Sequence, residues 1–125
     1  MKPQLRVEEL HIGSQPYEVR WTMTGQVTMC QVVKFSFKYG VDLPICAGLT
    51  RYNPKDRFDY VVGMRESARH ACYVGLPGAP EMAAPKWLRA KLFSAIRQVI
   101  WERYVEHIPG PLAEALMLVD YKRTT

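Results

Sequence analysis

The chain is expected to fold as an α+β two-layer sandwich, with a three-stranded antiparallel meander packed against two or three C-terminal helices. Three observations carry that expectation. Residues 17–24 alternate apolar and polar side chains with period two, as a half-buried strand requires. Residues 27–39 hold a second alternation over a longer run. Residues 83–107 repeat apolar side chains at three and four and are bounded by proline, which marks an amphipathic helix. An apolar sheet face and an apolar helix stripe bury each other most simply as two layers.

Taken in order, residues 1–15 are read as an N-terminal arm or short helix. In the first strand Tyr17, Val19, Trp21 and Met23 face one way, and Glu18, Arg20, Thr22 and Thr24 the other. Gly25-Gln26 forms a two-residue hairpin turn, because glycine tolerates the positive φ such turns need. In the second strand Val27, Met29, Val33, Phe35, Phe37 and Tyr39 share a face, which is taken as the aromatic and apolar face in need of a cover. Residues 40–44 turn the chain into a third strand over 45–52, where Gly48 marks a bulge or a close backbone approach.

Asn53-Pro54-Lys55-Asp56 is a turn, since proline fixes φ while Asn and Asp bond back to the backbone. A helix follows over about 60–74, with Val61, Met64, Ala68, Ala71 and Cys72 on its inner side and Asp59 as its cap. Residues 75–80 are a loop rich in glycine and proline. The long helix buries Leu88, Leu92, Ala95, Ile96, Val99, Ile100 and Tyr104. A last short helix opens at Pro111, and residues 122–125 are a loose tail.

Length and composition set the bounds. At 125 residues the chain is expected to be one domain, large enough to bury a core without metals or disulfides. No apolar run reaches the ~18 residues of a membrane span. The N-terminus lacks the apolar stretch of a signal peptide, so a cytoplasmic location is expected. Cys30, Cys46 and Cys72 lie within apolar stretches with no Cys-x-x-Cys pair, the pattern of buried free thiols rather than a zinc site.

The net charge is +5, and its distribution is uneven. Residues 51–107 hold ten Lys and Arg against six Asp and Glu, which accounts for four of the five excess charges. Arg51, Lys55, Arg57, Arg65 and Arg69 cluster over nineteen residues, and Lys86, Arg89 and Arg97 share one side of the long helix. Guanidinium groups grip phosphate through a planar fork, so this composition suits a polyanion. Tyr52, Tyr60 and Tyr73 lie close by in sequence and are of the type that stacks on bases.

Catalytic patterns are absent from the sequence. There is no phosphate-binding glycine loop and no Gly-x-Ser-x-Gly elbow. Asp56, Asp59 and Glu66, with His70, form the single acidic grouping to weigh as a metal-dependent nuclease, but turn, cap and surface roles already account for them. No cofactor, no metal and no enzymatic activity are expected.

Two resemblances add to this. The order helix, three antiparallel strands, basic helix over residues 3–74 resembles a double-stranded-RNA-binding domain, with Arg65-Glu66-Ser67-Ala68-Arg69-His70-Ala71-Cys72 similar to that family's helix start. The Gly-Pro-x-His loop of that family is missing here. The pattern Asn53-Pro54-Lys55-Asp56-x-Phe58-Asp59-x-x-x-Gly63 resembles small phage and prophage accessory proteins. That resemblance implies a compact non-enzymatic protein that binds host machinery or nucleic acid, as inhibitors of bacterial defence such as anti-CRISPR proteins do.

The expected function is therefore docking of a nucleic acid or host nucleoprotein complex through Arg51, Lys55, Arg57, Arg65 and Arg69, with Lys86, Arg89 and Arg97 adding to the surface. The alternative is a protein–protein inhibitor or adaptor that binds a host protein through uncovered aromatics such as Trp101 or Tyr104. No membrane partner is expected. A three-stranded sheet leaves edges that need pairing or protection, which admits a homodimer.

Overall fold

The alternation of residues 17–24 becomes a strand whose Tyr17, Val19, Trp21 and Met23 are all buried, and the rest of the sheet is built outward from it. The computed structural model describes residues 3–51 and 59–105, excluding the Asp59 side chain. Four strands, β1 (Gln4–Ile12), β2 (Gln15–Thr24), β3 (Val27–Ser36) and β4 (Val41–Arg51), form one antiparallel sheet in the order β1-β2-β3-β4. Two helices follow, α1 (Asp59–Tyr73) and α2 (Lys86–Ile100), and α2 runs on into a π-helical turn, Trp101–Val105.

The α+β class stands, but the three-stranded meander is corrected to four strands. The N-terminal arm or short helix is instead β1, paired with β2 over nine consecutive positions. Its side chains alternate without an apolar face of their own: Leu10 is buried and Ile12 packs against the core, while Leu5 and Val7 sit on the other side. Pairing with β2 makes it a strand more than its own pattern does. Gly13, at φ +63, supplies the left-handed residue of the turn that joins the two.

The Gly25 turn also decides which face of β3 is covered. Thr24 pairs with Val27, so Met23 lies opposite Thr28, Trp21 opposite Cys30 and Val19 opposite Val32. Directly opposed residues share a face. The covered face of β3 is therefore Thr28, Cys30 and Val32, each fully buried. Val27, Met29, Val33 and Phe35, expected to seek cover, lie on the open face, and Phe37 and Tyr39 stand out of the β3–β4 turn. In β4 the pairing slips between Val32 and Val33, leaving Ile45 without a partner, which is a β-bulge.

Both helices lie on the covered face. Trp21 in β2 donates its indole N–H to the carbonyl of Met64 at 2.9 Å. Gly48 in β4 lies beneath Ser67–Ala71, where an added Cβ would be 2.2 Å from the Ala71 nitrogen. Helix α1 thus lies over β3 and β4, within reach of Trp21 from β2, and Gly48 is the close approach that lets it settle. The stripe Val61, Met64, Ala68, Ala71 and Cys72 is buried as its spacing demands. Helix α2 packs beside α1 and contributes Leu88, Leu92, Phe93, Ile96 and Ile100.

Cys30, Cys46 and Cys72 are free and buried. Burial pushes the Cys30 thiol up, while a hydrogen bond with Cys46 and then burial push Cys72 up, so both stay protonated. The turn at Asn53–Asp56, the Asp59 cap, the helix opening at Pro111 and the tail at 122–125 lie outside the described residues. No described helix is long and apolar enough to cross a membrane.

Candidate functional site

The cations read from the sequence do not stay together. Arg51 ends β4 in an exposed position. Arg65 is corrected from surface to interior: it is only 2% exposed, with its Nε 3.8 Å from Glu66 Oε1. Helix α1 turns this side inward because it lies across the sheet and against α2. Arg69 is partly exposed and donates from Nε to Glu66 at 3.3 Å. Glu66, expected at the surface, is itself buried and holds both arginines. Lys55 and Arg57 lie outside the described residues. The corner read at residues 51–69 is therefore, among the described residues, one exposed arginine, one buried arginine and one arginine tied to a carboxylate.

The second group, Lys86, Arg89 and Arg97, is assembled more tightly than expected. Helix α2 reads Lys-Trp-Leu-Arg-Ala-Lys-Leu-Phe-Ser-Ala-Ile-Arg-Gln-Val-Ile, with four cations and no acid. Residues 86, 89, 93 and 97 fall at helical spacing along one flank. That flank meets the end of α1. The Arg97 guanidinium lies 5.1 Å from the Phe93 ring centre, Phe93 packs edge-on to Tyr73 at 6.0 Å, and Arg89 lies 5.8 Å from the Tyr73 ring. The result is a row of cation, aromatic, aromatic, cation across the seam of the two helices, with Tyr73 41% exposed. Arg89 is fixed further by bonds from Nη2 and Nε to the Ala84 carbonyl, at 2.8 and 3.3 Å.

Two features make this seam favourable to anions. Lys86 and Arg89 stand in the first turn of α2, where the helix dipole is positive and an acid would be the stabilising choice. Pro85 occupies the cap position and makes no side-chain bond to the first turn. Lys86 and Lys91 are exposed, and Trp87 is 71% exposed beside them. Backbone N–H groups, ammonium and guanidinium groups and open aromatic faces are the groups that phosphates and bases contact.

The nuclease grouping does not gain support. His70 donates from Nδ1 to the Leu49 carbonyl, so it ties α1 to β4. Among the described residues, no group of three or more His, Cys, Asp or Glu side chains is placed to hold a metal ion. Asp56 and the Asp59 side chain lie outside those residues.

The expected aromatic contacts also move. Trp101 and Tyr104 are half-buried against the core, and Tyr104 donates its hydroxyl to Glu8 at 2.9 Å. Tyr60 packs against the core as well, and Tyr52 lies outside the described residues. Among the described residues the uncovered aromatics are instead Tyr73, Trp87 and the trio of the β3–β4 hairpin, Phe35, Phe37 and Tyr39. Phe37 is 77% exposed and packs edge-on to Phe35 at 5.0 Å, and Lys38 lies over the Tyr39 ring. Counting across the Gly25 turn would have placed Phe35 on the open face. The seam itself was legible in part, since the acid-free run 86–100 is visible in the sequence.

Compared with known protein families, curated proteins and solved structures, the chain matches none of them.

Proposed function

We propose that this is a non-enzymatic binding protein that docks a nucleic acid, free or within a nucleoprotein complex, on the seam between α1 and α2. The observation that supports this most is the acid-free α2. Its cations Lys86 and Arg89 sit at the positive end of the helix dipole, where they weaken the helix. Arg89 is held there by its bonds to Ala84, but Lys86 is exposed, and a local preference broken at an exposed position suits a surface kept for a ligand. Arg89 and Arg97 meet phosphates, while Tyr73 and Trp87 offer ring faces to bases. Arg51, opposite Val27 on the open face, and Arg65, buried beside Glu66, stand outside this surface.

Equilibrium binding of labelled single- and double-stranded oligonucleotides across a salt series tests this. Log affinity is expected to fall linearly with log salt, with a slope of about −2 to −4 for three to four phosphate contacts. An affinity that does not change with salt, or no binding at low salt, rejects it.

A second reading, a protein-binding adaptor, is favoured by the hairpin aromatics. Phe35, Phe37 and Tyr39 form an exposed cluster of the residue types that anchor protein interfaces. A host protein retained by the chain after nuclease treatment, and lost with Phe37→Ala, would favour this reading over the first.

A further inference from the structure

The two edges of the sheet differ in how they are protected. Strand β4 carries Pro44 and a β-bulge, and helix α1 covers it closely. These are the devices that stop a sheet edge from recruiting another strand. Strand β1 has neither proline nor bulge, although α2 and the π-helical turn pack on its covered face, where Glu8 meets Tyr104 and Arg103. Its nine residues run in unbroken register with β2, contain no proline, and present Leu5 at 63% and Val7 at 46% exposure. Among the described residues, no strand pairs with its outer side.

We infer that β1 is the assembly edge of a homodimer, in which β1 pairs antiparallel with β1 of a second copy, centred on Val7, to make a continuous eight-stranded sheet.

Symmetry and charge together select this register. A twofold axis that joins like edges antiparallel must stand normal to the sheet. It therefore keeps both helix layers on one side and pairs only residues that share a face, so each register has one residue opposite itself. Centring on Arg6 opposes two guanidiniums, and centring on Glu8 or Glu9 opposes two carboxylates. Centring on Leu5 pairs no further than Pro3, which has no N–H to give. Centring on Val7 pairs residues 4–10, and sets Arg6 of each copy opposite Glu8 of the other. Glu8 is already oriented by Tyr104, whose ring also lies 5.8 Å from the Arg6 guanidinium, so both charges are held in place beforehand. On the open face Val7 meets Val7 of the second copy directly and Leu5 diagonally, which covers the two apolar side chains the monomer leaves exposed. Leu5 also lies opposite Glu9 in this register, over its aliphatic stem.

The β1 edge and the α1–α2 seam use different residues, although α2 also packs against β1, so this inference stands or falls independently of nucleic-acid binding. Sedimentation equilibrium of the full chain at micromolar concentration is expected to give twice the 14.4 kDa chain mass. Val7→Lys opposes two ammonium groups at the axis and is expected to give a monomer with unchanged circular dichroism. Val7→Cys is expected to form a disulfide-linked dimer on mild oxidation, because opposed Cα atoms in such a pair are about 4.5–5.5 Å apart. Glu9→Cys is expected not to, since it faces Leu5, and the native thiols are buried and contribute no background. A monomeric wild-type chain overturns the inference, including one whose edge is taken by its own residues 106–125. So does a dimer that survives Val7→Lys, or one that Glu9→Cys links as readily as Val7→Cys.

Discussion

The outer surface of the helix layer and the open face of the sheet are both solvent-facing, yet they are chemically opposite. Helix α2 carries four cations and no acid. On the open face Arg20 donates to both Glu18 and Asp42, the latter at 2.9 Å, and Glu9 lies opposite Glu18. That face also carries an apolar set, Leu5, Val7, Val27, Met29, Val33, Phe35 and Leu49, among polar residues such as Thr22, Thr24 and Gln31. The contrast separates two roles. A cationic surface with open rings suits a polyanion, whereas a sheet face of apolar and mixed-charge residues with a free edge suits another protein surface. The same contrast shows that apolar content alone does not decide which face of a sheet becomes core.

The contrast is broken most severely by removing the joint between the layers. Trp21→Ala deletes the largest fully buried side chain and its bond to Met64, and is expected to cost about 3–5 kcal/mol in chemical denaturation. Met29→Ala, on the open face of the neighbouring strand, is expected to cost about 1 kcal/mol or less. Equal losses would mean that the two faces have been assigned the wrong way round.

Gly48→Ala is next in size. Its Cβ would meet the backbone of α1 at Ala71 and Ser67, which cannot rotate away as a side chain could. A loss of about 1–3 kcal/mol is expected. A neutral or stabilising result would show that α1 does not approach β4 this closely.

A smaller effect concerns the link from the π-helical turn to β1. Burial, and then its bond to Glu8, push the Tyr104 hydroxyl from 10.0 up to about 12. A group whose folded pKa is raised contributes stability in full below its unfolded pKa and loses it as pH rises through the folded one. The melting temperature is therefore expected to fall between about pH 10 and 12, and Tyr104→Phe to reduce that fall, with the raised hydroxyl of Tyr17 accounting for part of the remainder. An identical pH profile in Tyr104→Phe would show that this hydroxyl is neither buried nor bonded to Glu8 in solution.

Phe37→Ala is expected to change stability by no more than about 0.5 kcal/mol, since its ring is mostly exposed and packs edge-on to Phe35 at the hairpin tip. A larger loss would place that ring in a packed environment rather than on a free surface.

Much of the architecture was legible because β2 and both helices carry strong periodicity. The stripes Val61–Cys72 and Leu88–Ile100 are buried as their spacing requires. Strand β1 was not legible as a strand, since its apolar residues divide between both faces and its pairing is supplied by β2. The covered face of β3 was hidden by apolar count: Val27, Met29 and Phe35 outweigh Thr28 and Cys30 in hydrophobicity. The two-residue turn at Gly25 nevertheless fixes Met23 opposite Thr28. At the site, Arg65 was read as exposed because an arginine on an amphipathic helix usually is. Its burial follows from the tertiary crossing of α1 over the sheet, which periodicity does not encode. Tyr73 and Phe93 are distant in sequence, so the row joining Arg89 to Arg97 required the packing of α1 against α2.

The central claim is that the seam, rather than net charge, binds nucleic acid. It is tested most directly by comparing two charge-matched double variants in fluorescence anisotropy with a labelled oligonucleotide at fixed low salt. Arg89→Glu with Arg97→Glu is expected to weaken binding by at least about tenfold. Lys34→Glu with Lys38→Glu, which makes the same change in net charge at the β3–β4 hairpin, is expected to weaken it far less. Equal losses in the two variants, or no loss in the first, would contradict the account.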